Sequence, residues 1–435
     1  MTLSRRRFLQ QAMAFGLGGG GLAASLGACG GAGSGSASSS TGSGGATSLL
    51  TPVTASAAAT TVADKPVRKV NLGFIALTDA APIIMAKELG LFDQYKLDVT
   101  VAKQASWPAL RDALQNGQID GAHCLFGMPF SVATGVGGNG ARDLKIAMML
   151  NQNGQAITLS KDFEGIGYGD LAAAREILAS KDAPDLGMTF PGGTHDLWLR
   201  YWLMAAKADV SKLKISPIPP PQMVQNMEVG NVKGYCVGEP WNARAVAKGI
   251  GFTYLATQDL WDNHPEKALV VNKAFAETQE DTLKDVMAAV LDASKWLDDT
   301  ANRQSTAQTI GVEAYVSATP EEIGSRLVGK YDLGGGLGSK DFAGRQMQFF
   351  QDGKVSFPRR GHGVWFLSQY VRMGLLKEAP PYQELADELI LTDLYGEVAT
   401  NAGIAVPADD MSPFTIALDK VTFDPRKPAQ EGARP

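Results

Sequence analysis

The sequence predicts an α/β protein built from two similar lobes. Two observations carry this prediction: the order strand–helix–strand–helix–strand occurs twice after residue 65, and helix-length segments separate most of the strand-like runs. A third observation is length, because about 370 residues follow the N-terminal segment and are enough for two domains. Ligands of open α/β sheets bind at the carboxyl ends of the strands, so we expect a ligand cleft between the lobes.

The first set of elements lies between residues 69 and 150. Apolar β-branched runs predict strands, and runs of helix formers closed by glycine predict helices. Pro82 and Pro108 suit the first turn of a helix, and Ser106 is a good N-cap for the second helix. The predicted strands are residues 69–75, 97–102, 119–126 and 144–150, and the predicted helices are residues 81–88 and 107–116.

The second set runs from residue 186 to residue 237. It contains predicted strands at 186–190, 215–218 and 234–237, and predicted helices from about 194 to 206 and at 222–229. Residues 282–376 are expected to be mostly helical, and the last forty residues to wrap the surface as extended chain. We therefore assign residues 65–160 and 268–435 to lobe I with a helical C-terminal extension, and residues 161–267 to lobe II.

The N-terminus predicts export and lipid anchoring. Adjacent arginines at 5–7 precede Phe8 and Leu9, as in twin-arginine signals, and an uncharged apolar stretch follows. Small residues before Cys29 resemble the lipobox of bacterial lipoproteins, so residues 1–28 are predicted to be a signal peptide. Residues 30–63 carry no charge and are dominated by Gly, Ser, Ala and Thr. Residues 29–64 would thus be a lipidated Cys29 and a flexible tether, holding the protein at the outer face of the cytoplasmic membrane or in the periplasm.

Charge and cysteine usage exclude several classes of function. The net charge is −5, and losing the three arginines at 5–7 with the signal leaves −8, which argues against nucleic acid as a partner. Cys124 and Cys236 lie in apolar strand-like runs and are predicted to be buried free thiols. The sequence has no Cys/His spacing typical of zinc and no HExxH motif, so we expect neither a metal nor another cofactor.

Catalytic motifs are absent from the sequence. It has no GxSxG, no phosphate-binding loop and no GxGxxG after a strand, and His195-Asp196 lacks a nucleophile at a familiar spacing. We therefore predict a binding protein that is not an enzyme.

Polar residues at the turns between strands and helices point to anion binding. Trp107 and Gln155 each follow a predicted strand and offer N–H donors. Thr194 and His195 follow two glycines at a helix start, where the helix dipole and the backbone favour an anion. Lys267 precedes an apolar strand and would supply a full positive charge.

Long stretches of the chain, in order, resemble the nitrate- and bicarbonate-binding family of ABC-transporter solute-binding proteins. They span residues 71–271 almost continuously, with weaker similarity to about residue 376. The matching stretches include NLGFIALTDAAPIIMAKELGLF, KQASWPALRDAL, GQIDGAHCLFGMPF, LNQNGQAI, TFPGGTHDLWLRYWL, PPPQMVQNMEVG, YCVGEPWNARAV and LWDNHPEKALVV.

The resemblance implies a two-lobed type II periplasmic binding protein, here a monomer that delivers nitrate, or nitrite, to an ABC permease in the cytoplasmic membrane. It implies ligand contacts at a set of five residues: Trp107, Gln155, Thr194, His195 and Lys267. Glu239, in a Gly-Glu-Pro-Trp motif, and Gly193 would support the ligand contacts or act at the hinge, since a carboxylate facing a bare anion would repel it. Residues 361–365 depart from the family pattern and leave the role of His362 open.

The orientation of Glu266 and Lys267 is expected to decide the anion. Lys267 pointing inward predicts nitrate or nitrite without metal, whereas Glu266 pointing inward allows bicarbonate with a divalent cation. We prefer nitrate, because Lys267 matches the nitrate branch of the family. The sequence is also compatible with an organic sulfonate- or pyrimidine-binding protein on the same fold, with a secreted enzyme, and with a cytoplasmic nitrate sensor, which the export signal disfavours.

Overall fold

A computed structural model describes residues 50, 53–55, 64–180 and 183–434 of the chain. Two five-stranded sheets form its framework, and two short hairpins lie outside them. The strands are β1 (Arg68–Phe74), β2 (Leu97–Lys103), β3 (Gly121–Leu125), β4 (Leu144–Gln152), β5 (Gln155–Ser160), β6 (Leu186–Met188), β7 (Ile215–Pro217), β8 (Gly234–Gly238), β9 (Gly251–Ala256), β10 (Pro265–Asn272), β11 (Lys330–Asp332), β12 (Ser339–Asp341), β13 (Phe414–Thr415) and β14 (Thr422–Phe423).

The two large sheets have the same construction. The first has the order β2-β1-β3-β10-β4 and the second has the order β7-β6-β8-β5-β9. In each sheet the first three strands are parallel, and the fourth runs antiparallel to both of its neighbours. Each antiparallel strand reaches its sheet by a crossover from the other lobe. The repeated strand–helix pattern of the sequence thus corresponds to two lobes with matching topology.

The crossovers lie a few residues before the lobe boundaries expected from the sequence. Strand β5 belongs to the second sheet, although the sequence pattern places residues 155–160 in lobe I. Strand β10 belongs to the first sheet from Pro265 onward, although the sequence pattern places residues up to 267 in lobe II. The physical reason is the swapped antiparallel strand, which a count of strand–helix repeats does not reveal. The chain crosses between lobes at residues 153–154 and again at residues 257–264.

Helices cover the sheets and begin and end at recognisable signals. Ser106 accepts a hydrogen bond from the Ala109 N–H and caps the third helix, as predicted. The helices are α1 (Ala81–Glu88), α2 (Leu91–Gln94), α3 (Trp107–Gln115), α4 (Met128–Ala133), α5 (Leu171–Ala179), α6 (Thr194–Ala205), α7 (Met223–Glu228), α8 (Trp241–Ala247), α9 (Thr257–Leu260), α10 (Lys273–Thr278), α11 (Glu280–Asp298), α12 (Arg303–Ile310), α13 (Pro320–Leu327), α14 (Arg360–Arg372), α15 (Tyr382–Leu389), α16 (Thr392–Asn401) and α17 (Pro428–Gly432).

The inner strands β3 and β10 of the first sheet are buried on both faces, which is typical of strands with continuous apolar runs such as residues 268–271. Along β10, Leu269 and Val271 pack into one core with α1, α2, α11 and α12. Ala268 and Val270 point to the other face, into a core that continues through Trp198 and Tyr235 of the second lobe. The two lobes therefore share an apolar core as well as the two crossovers.

The C-terminal tract is less helical than the sequence predicts. Helices α11 to α13 occupy its first part, but the β11–β12 hairpin and irregular chain occupy residues 328–359 before α14. The Leu333 carbonyl accepts a hydrogen bond from the Thr253 N–H, so this region covers the second sheet. Beyond α16 the chain consists mostly of turns and irregular segments, apart from the β13–β14 hairpin and α17, which packs on α14.

The predicted signal peptide, Cys29 and most of the tether lie outside the described residues. Within the described ranges, no helix is both long and apolar enough to cross a membrane. Cys124 and Cys236 are buried and unpaired, which confirms the prediction for these two thiols.

Candidate functional site

The topology brings polar residues of both lobes to facing sheet edges. Carboxyl ends of the parallel strands and amino ends of the antiparallel strands lie at the same edge of each sheet. In lobe I this edge carries Asp79 and Trp107, which follow β1 and β2, and the beginning of β10. In lobe II it carries Gln155 at the beginning of β5 and His195 after β6. These side chains are fully buried where the two edges meet.

A bulge at the beginning of β10 places two consecutive charged residues in the site. Pro265 pairs with Gln152 of β4 and Lys267 pairs with Asn151, so Glu266 is an extra residue without a partner on that strand. Glu266 and Lys267 are both fully buried. The expectation that only one of them points inward is therefore wrong, because it assumed the regular alternation of an unbroken strand.

Lys267 lies between two buried carboxylates. Its Nζ is 2.8 Å from Asp79 Oδ2 and 2.5 Å from Glu266 Oε1. Burial disfavours the charged ammonium, but the two carboxylates outweigh burial and raise the pKa of Lys267. Burial likewise opposes ionisation of Asp79, yet the Lys267 charge and a hydrogen bond from His123 lower its pKa to about 2. The pKa of Glu266 is also held well below its usual range by Lys267 and His195, despite burial.

Asp79 is a site residue that the sequence patterns did not predict. Its carboxylate accepts hydrogen bonds from Gln155 Nε2 at 2.9 Å and from Lys267 Nζ, and it lies 2.7 Å from His123 Nε2. It thereby holds residues of both lobes together. The only hint of its role in the sequence is that Asp79 is a lone acidic residue in the apolar stretch that follows the first strand.

Donors of lobe II converge on the other carboxylate. Thr194 Oγ1 donates to Glu266 Oε1 at 3.0 Å, and Trp198 Nε1 donates to Glu266 Oε2 at 3.0 Å. Thr194 is the first residue of α6 and Trp198 lies one turn later, so a single helix face presents both donors. Trp198 was not among the predicted site residues; it is identified only once the helix face is known.

His195 faces the same carboxylate with an unsatisfied ring nitrogen. Its Nδ1 is 2.7 Å from Thr189 Oγ1. Its Nε2 lies 3.0 Å from Glu266 Oε1, but the alignment does not make a hydrogen bond and the nitrogen has no partner. Burial lowers the pKa of His195, although Glu266 acts in the opposite direction. Thus His195 presents a polar atom that the protein itself does not satisfy.

Trp107 and Gln155 also leave polar atoms without partners. The Trp107 Nε1–H and the Gln155 Oε1 are buried and make no hydrogen bond, while Lys267 Nζ lies 5.9 Å from the centre of the Trp107 ring. A buried donor without a partner costs on the order of 1–3 kcal/mol, so such groups commonly mark a place for water or a ligand. The five predicted contact residues are therefore assembled in one cluster, together with Asp79, Glu266 and Trp198.

The supporting residues take different positions around this cluster. The backbone carbonyl of Glu239 accepts a hydrogen bond from the Thr78 N–H at 2.8 Å. The Glu239 carboxylate accepts a hydrogen bond from the Ala243 N–H at 3.1 Å and lies 3.7 Å from Arg326 Nε. Burial raises the pKa of Glu239 in spite of Arg326. Glu239 therefore links the lobes through its backbone contact with Thr78, while its carboxylate is engaged by Ala243 and Arg326.

Gly193 lets helix α6 begin close to the first sheet. A Cβ on this residue would lie 2.8 Å from Leu125 Cδ1 and 3.1 Å from the Phe190 carbonyl oxygen, so glycine favours the close approach. The neighbouring Gly192 has a φ of +68°, which also favours glycine.

His264 and His362 lie at the border of the site. His264 packs against the Trp198 ring, with centroids 4.8 Å apart, and burial lowers its pKa to about 4. His362 lies among aromatic rings, 5.3 Å from Trp261 and 5.2 Å from Phe414, and burial lowers its pKa strongly. His362 thus belongs to an aromatic cluster beside the site.

The described part of the chain has no group of three or more His, Cys, Asp or Glu side chains arranged to hold a metal ion. The oxygens of Glu266, which would assist a metal if the ligand were bicarbonate, are engaged by Thr194, Trp198 and Lys267. The chemistry on offer is N–H and O–H donors around one ammonium and two carboxylates.

Known proteins match most of the chain. Residues 63–311 match the NMT1-like family. The nitrate/nitrite binding protein NrtA of Nostoc sp. is 38% identical over 87% of this chain and 89% of its own length. The bicarbonate-binding protein CmpA of Synechococcus elongatus is 29% identical over 84% of this chain and 86% of its own length.

A crystal structure confirms the predicted two-lobed periplasmic binding protein fold. The periplasmic nitrate-binding protein NrtA from Synechocystis superposes with a TM-score of 0.78 at 36% identity, covering 85% of this chain and 98% of that protein. The chain therefore belongs to the NMT1-like family, as a homologue of the nitrate/nitrite binding protein NrtA.

Proposed function

We propose that the protein captures nitrate or nitrite in the closed cleft between its lobes and delivers it to an ABC permease. The observation that carries the proposal is the cluster of unsatisfied donors around a buried ammonium. Trp107 Nε1 and His195 Nε2 have no partner, and Lys267 supplies the positive charge. The similarity to nitrate/nitrite-binding proteins supports the same ligand class.

Nitrate suits this arrangement because it is planar, permanently charged and weakly basic. It would be held by Trp107 and His195, which have unpartnered nitrogens, with Lys267 as the cation. Gln155 and Thr194, which here donate to Asp79 and Glu266, would turn their donors to the anion. These groups come from both lobes, so the lobes have to separate for the anion to enter and close to complete its contacts. This assigns a binding and not a catalytic role to the site.

Bicarbonate is a second candidate because Glu266 lies inside the site beside Lys267. A carboxylate can accept the proton of bicarbonate or help to hold a divalent cation. Against this, hydrogen bonds from Thr194 and Trp198 already engage the Glu266 oxygens. The greater similarity to the nitrate/nitrite-binding relative also favours nitrate.

The cellular setting is part of the same proposal. A twin-arginine signal would export the chain, lipidation of Cys29 would anchor it, and the uncharged tether would let the monomeric body reach its permease. Radiolabelled palmitate incorporation into the expressed chain, with Cys29→Ser as the control, tests the anchor. Equal labelling of both chains would refute lipidation at Cys29.

Titration calorimetry tests the ligand. The signal-free chain is titrated with nitrate, nitrite, bicarbonate and an alkanesulfonate, each with and without calcium. We expect saturable heat with nitrate or nitrite that does not depend on calcium. Saturable heat with bicarbonate plus calcium alone would refute the nitrate proposal and select the second candidate.

A further inference from the structure

The buried charges of the cleft sum to a negative value, which is unfavourable for binding an anion. Asp79 and Glu266 are carboxylates, Lys267 is the cation between them, and all three are fully buried. His123, His195 and His264 are also buried, and burial lowers the pKa of each, which favours neutral imidazoles in the empty site. The cluster carries one net negative charge before nitrate or nitrite arrives.

A second negative charge in this closed site has few sources of compensation. The N-terminus of α6, a helix of 12 residues, contributes about half of a positive charge. This half charge does not cancel the one net negative charge that the cluster already carries. An added anion therefore leaves more than one uncompensated negative charge buried away from water. Binding a proton together with the anion would restore the charge of the empty site.

His195 is the group best placed to hold that proton. An imidazolium needs an acceptor at each ring nitrogen. Thr189 Oγ1 lies 2.7 Å from Nδ1, and Glu266 Oε1 lies 3.0 Å from Nε2. Thr189 is therefore in place as one acceptor, and Glu266 Oε1 lies within reach as the second once the ring aligns with it. The bound anion would be a further acceptor beside Nε2.

The other two histidines of the cluster are less suited. The Nδ1 of His123 accepts the Ile75 N–H at 3.5 Å while its Nε2 faces Asp79, so a second proton would break the backbone contact. His264 bonds to Thr257 Oγ1 at 2.8 Å and to the Pro265 carbonyl at 3.1 Å, and it lies 3.8 Å from Glu266 Oε2. It is thus farther from the carboxylate than His195 is.

The charged and titratable groups facing His195 come from several elements. They are Glu266 and Lys267 on β10, Asp79 after β1, and His264 in the second crossover. The nearby thiols Cys124 and Cys236 stay protonated, because burial raises the pKa of each.

We propose that the cleft takes up a proton with each nitrate or nitrite ion, and that His195 carries it. This inference rests on the proposed function: the site would bind the anion together with one proton. Anion binding stabilises the charged form of His195, so by linkage a lower pH tightens anion binding. Between the His195 pKa of the empty site and its higher pKa in the liganded site, the Kd for nitrate rises about tenfold per pH unit.

The test is calorimetry of the signal-free chain with sodium nitrate at one pH in phosphate and in Tris. These buffers differ widely in ionisation enthalpy, so proton uptake makes the observed enthalpies differ. We expect uptake approaching one proton per nitrate, and repeating the titration at a higher pH should give a larger Kd. Nitrate binding with the same enthalpy in both buffers would overturn the inference while leaving the proposed function intact. An absence of binding to nitrate and nitrite would instead overturn the proposed function.

Two matched variants locate the proton. His195→Gln keeps an amide donor near the Nε2 position but does not titrate, and His264→Gln makes the same change next to the site. We expect buffer-dependent enthalpy to persist in the His264 variant and to disappear in the His195 variant, which would bind nitrate more weakly at low pH. If nitrate binding to His195→Gln still has a buffer-dependent enthalpy, the assignment of the proton to His195 is wrong. Where that variant no longer binds nitrate, the wild-type comparison still decides whether a proton is taken up.

Discussion

Replacing Trp107 with phenylalanine removes one unsatisfied N–H from the site and keeps an aromatic ring. The indole is fully buried, and its Nε1 has no protein partner. A hydrogen bond to a charged group contributes about 1.5–3 kcal/mol. Because about 1.4 kcal/mol is a factor of ten in affinity, we expect the Kd for nitrate to rise about 10- to 100-fold. Titration calorimetry of the signal-free protein measures this change.

Trp365→Phe is the matched control. Trp365 is equally buried, its Nε1 also lacks a partner, and it packs on Trp198 outside the anion site. Both substitutions remove similar volume and relieve one unpaired donor, so they should change the melting temperature of the unliganded protein similarly. Only Trp107→Phe should weaken nitrate binding. Equal affinities of the two variants would show that the Trp107 N–H does not contact the anion.

Two further predictions follow from burial and charge. Lys267→Met leaves the carboxylates of Asp79 and Glu266 without their cation. Breaking this buried pair should lower the free energy of unfolding, measured by urea denaturation, by about 3–5 kcal/mol, and it should weaken nitrate binding at least tenfold. Unchanged affinity would place the ammonium outside the site. Cys124 and Cys236 are buried, and burial raises the pKa of both thiols, so iodoacetamide should label neither in a folded chain lacking Cys29 and both after unfolding. Mass spectrometry measures the labelling, and rapid modification of the folded chain would contradict it.

Much of the architecture was predictable because local signals and tertiary structure agree. The helix α1 has the bounds predicted from its sequence, and Ser106 caps α3 as expected. Both features depend on residues a few positions apart. The exchange of β5 and β10 between lobes was not predictable in this way, since pairing of distant strands leaves no local pattern.

The site could be predicted only in part. The family resemblance predicted a set of five contact residues: Trp107, Gln155, Thr194, His195 and Lys267. Local pattern supported them, because four lie in turns that follow strands and Lys267 precedes a strand, and the fold brings these turns to one edge. Asp79 and Trp198 were not predicted, for different reasons. A single carboxylate in an apolar run has no motif, and a tryptophan one turn into a helix is indistinguishable from a core residue until its partner, Glu266, is known.

The bulge in β10 makes the charge of the cleft depend on strand register. With regular pairing, neighbouring side chains would alternate between the two faces of the sheet, and only one of Glu266 and Lys267 would reach the cleft. Deleting a single residue near Pro265 would therefore leave either the carboxylate or the ammonium in the cleft, without a substitution of either residue. The spacing of the chain, as well as its composition, thus sets the charge that this cleft offers to an anion.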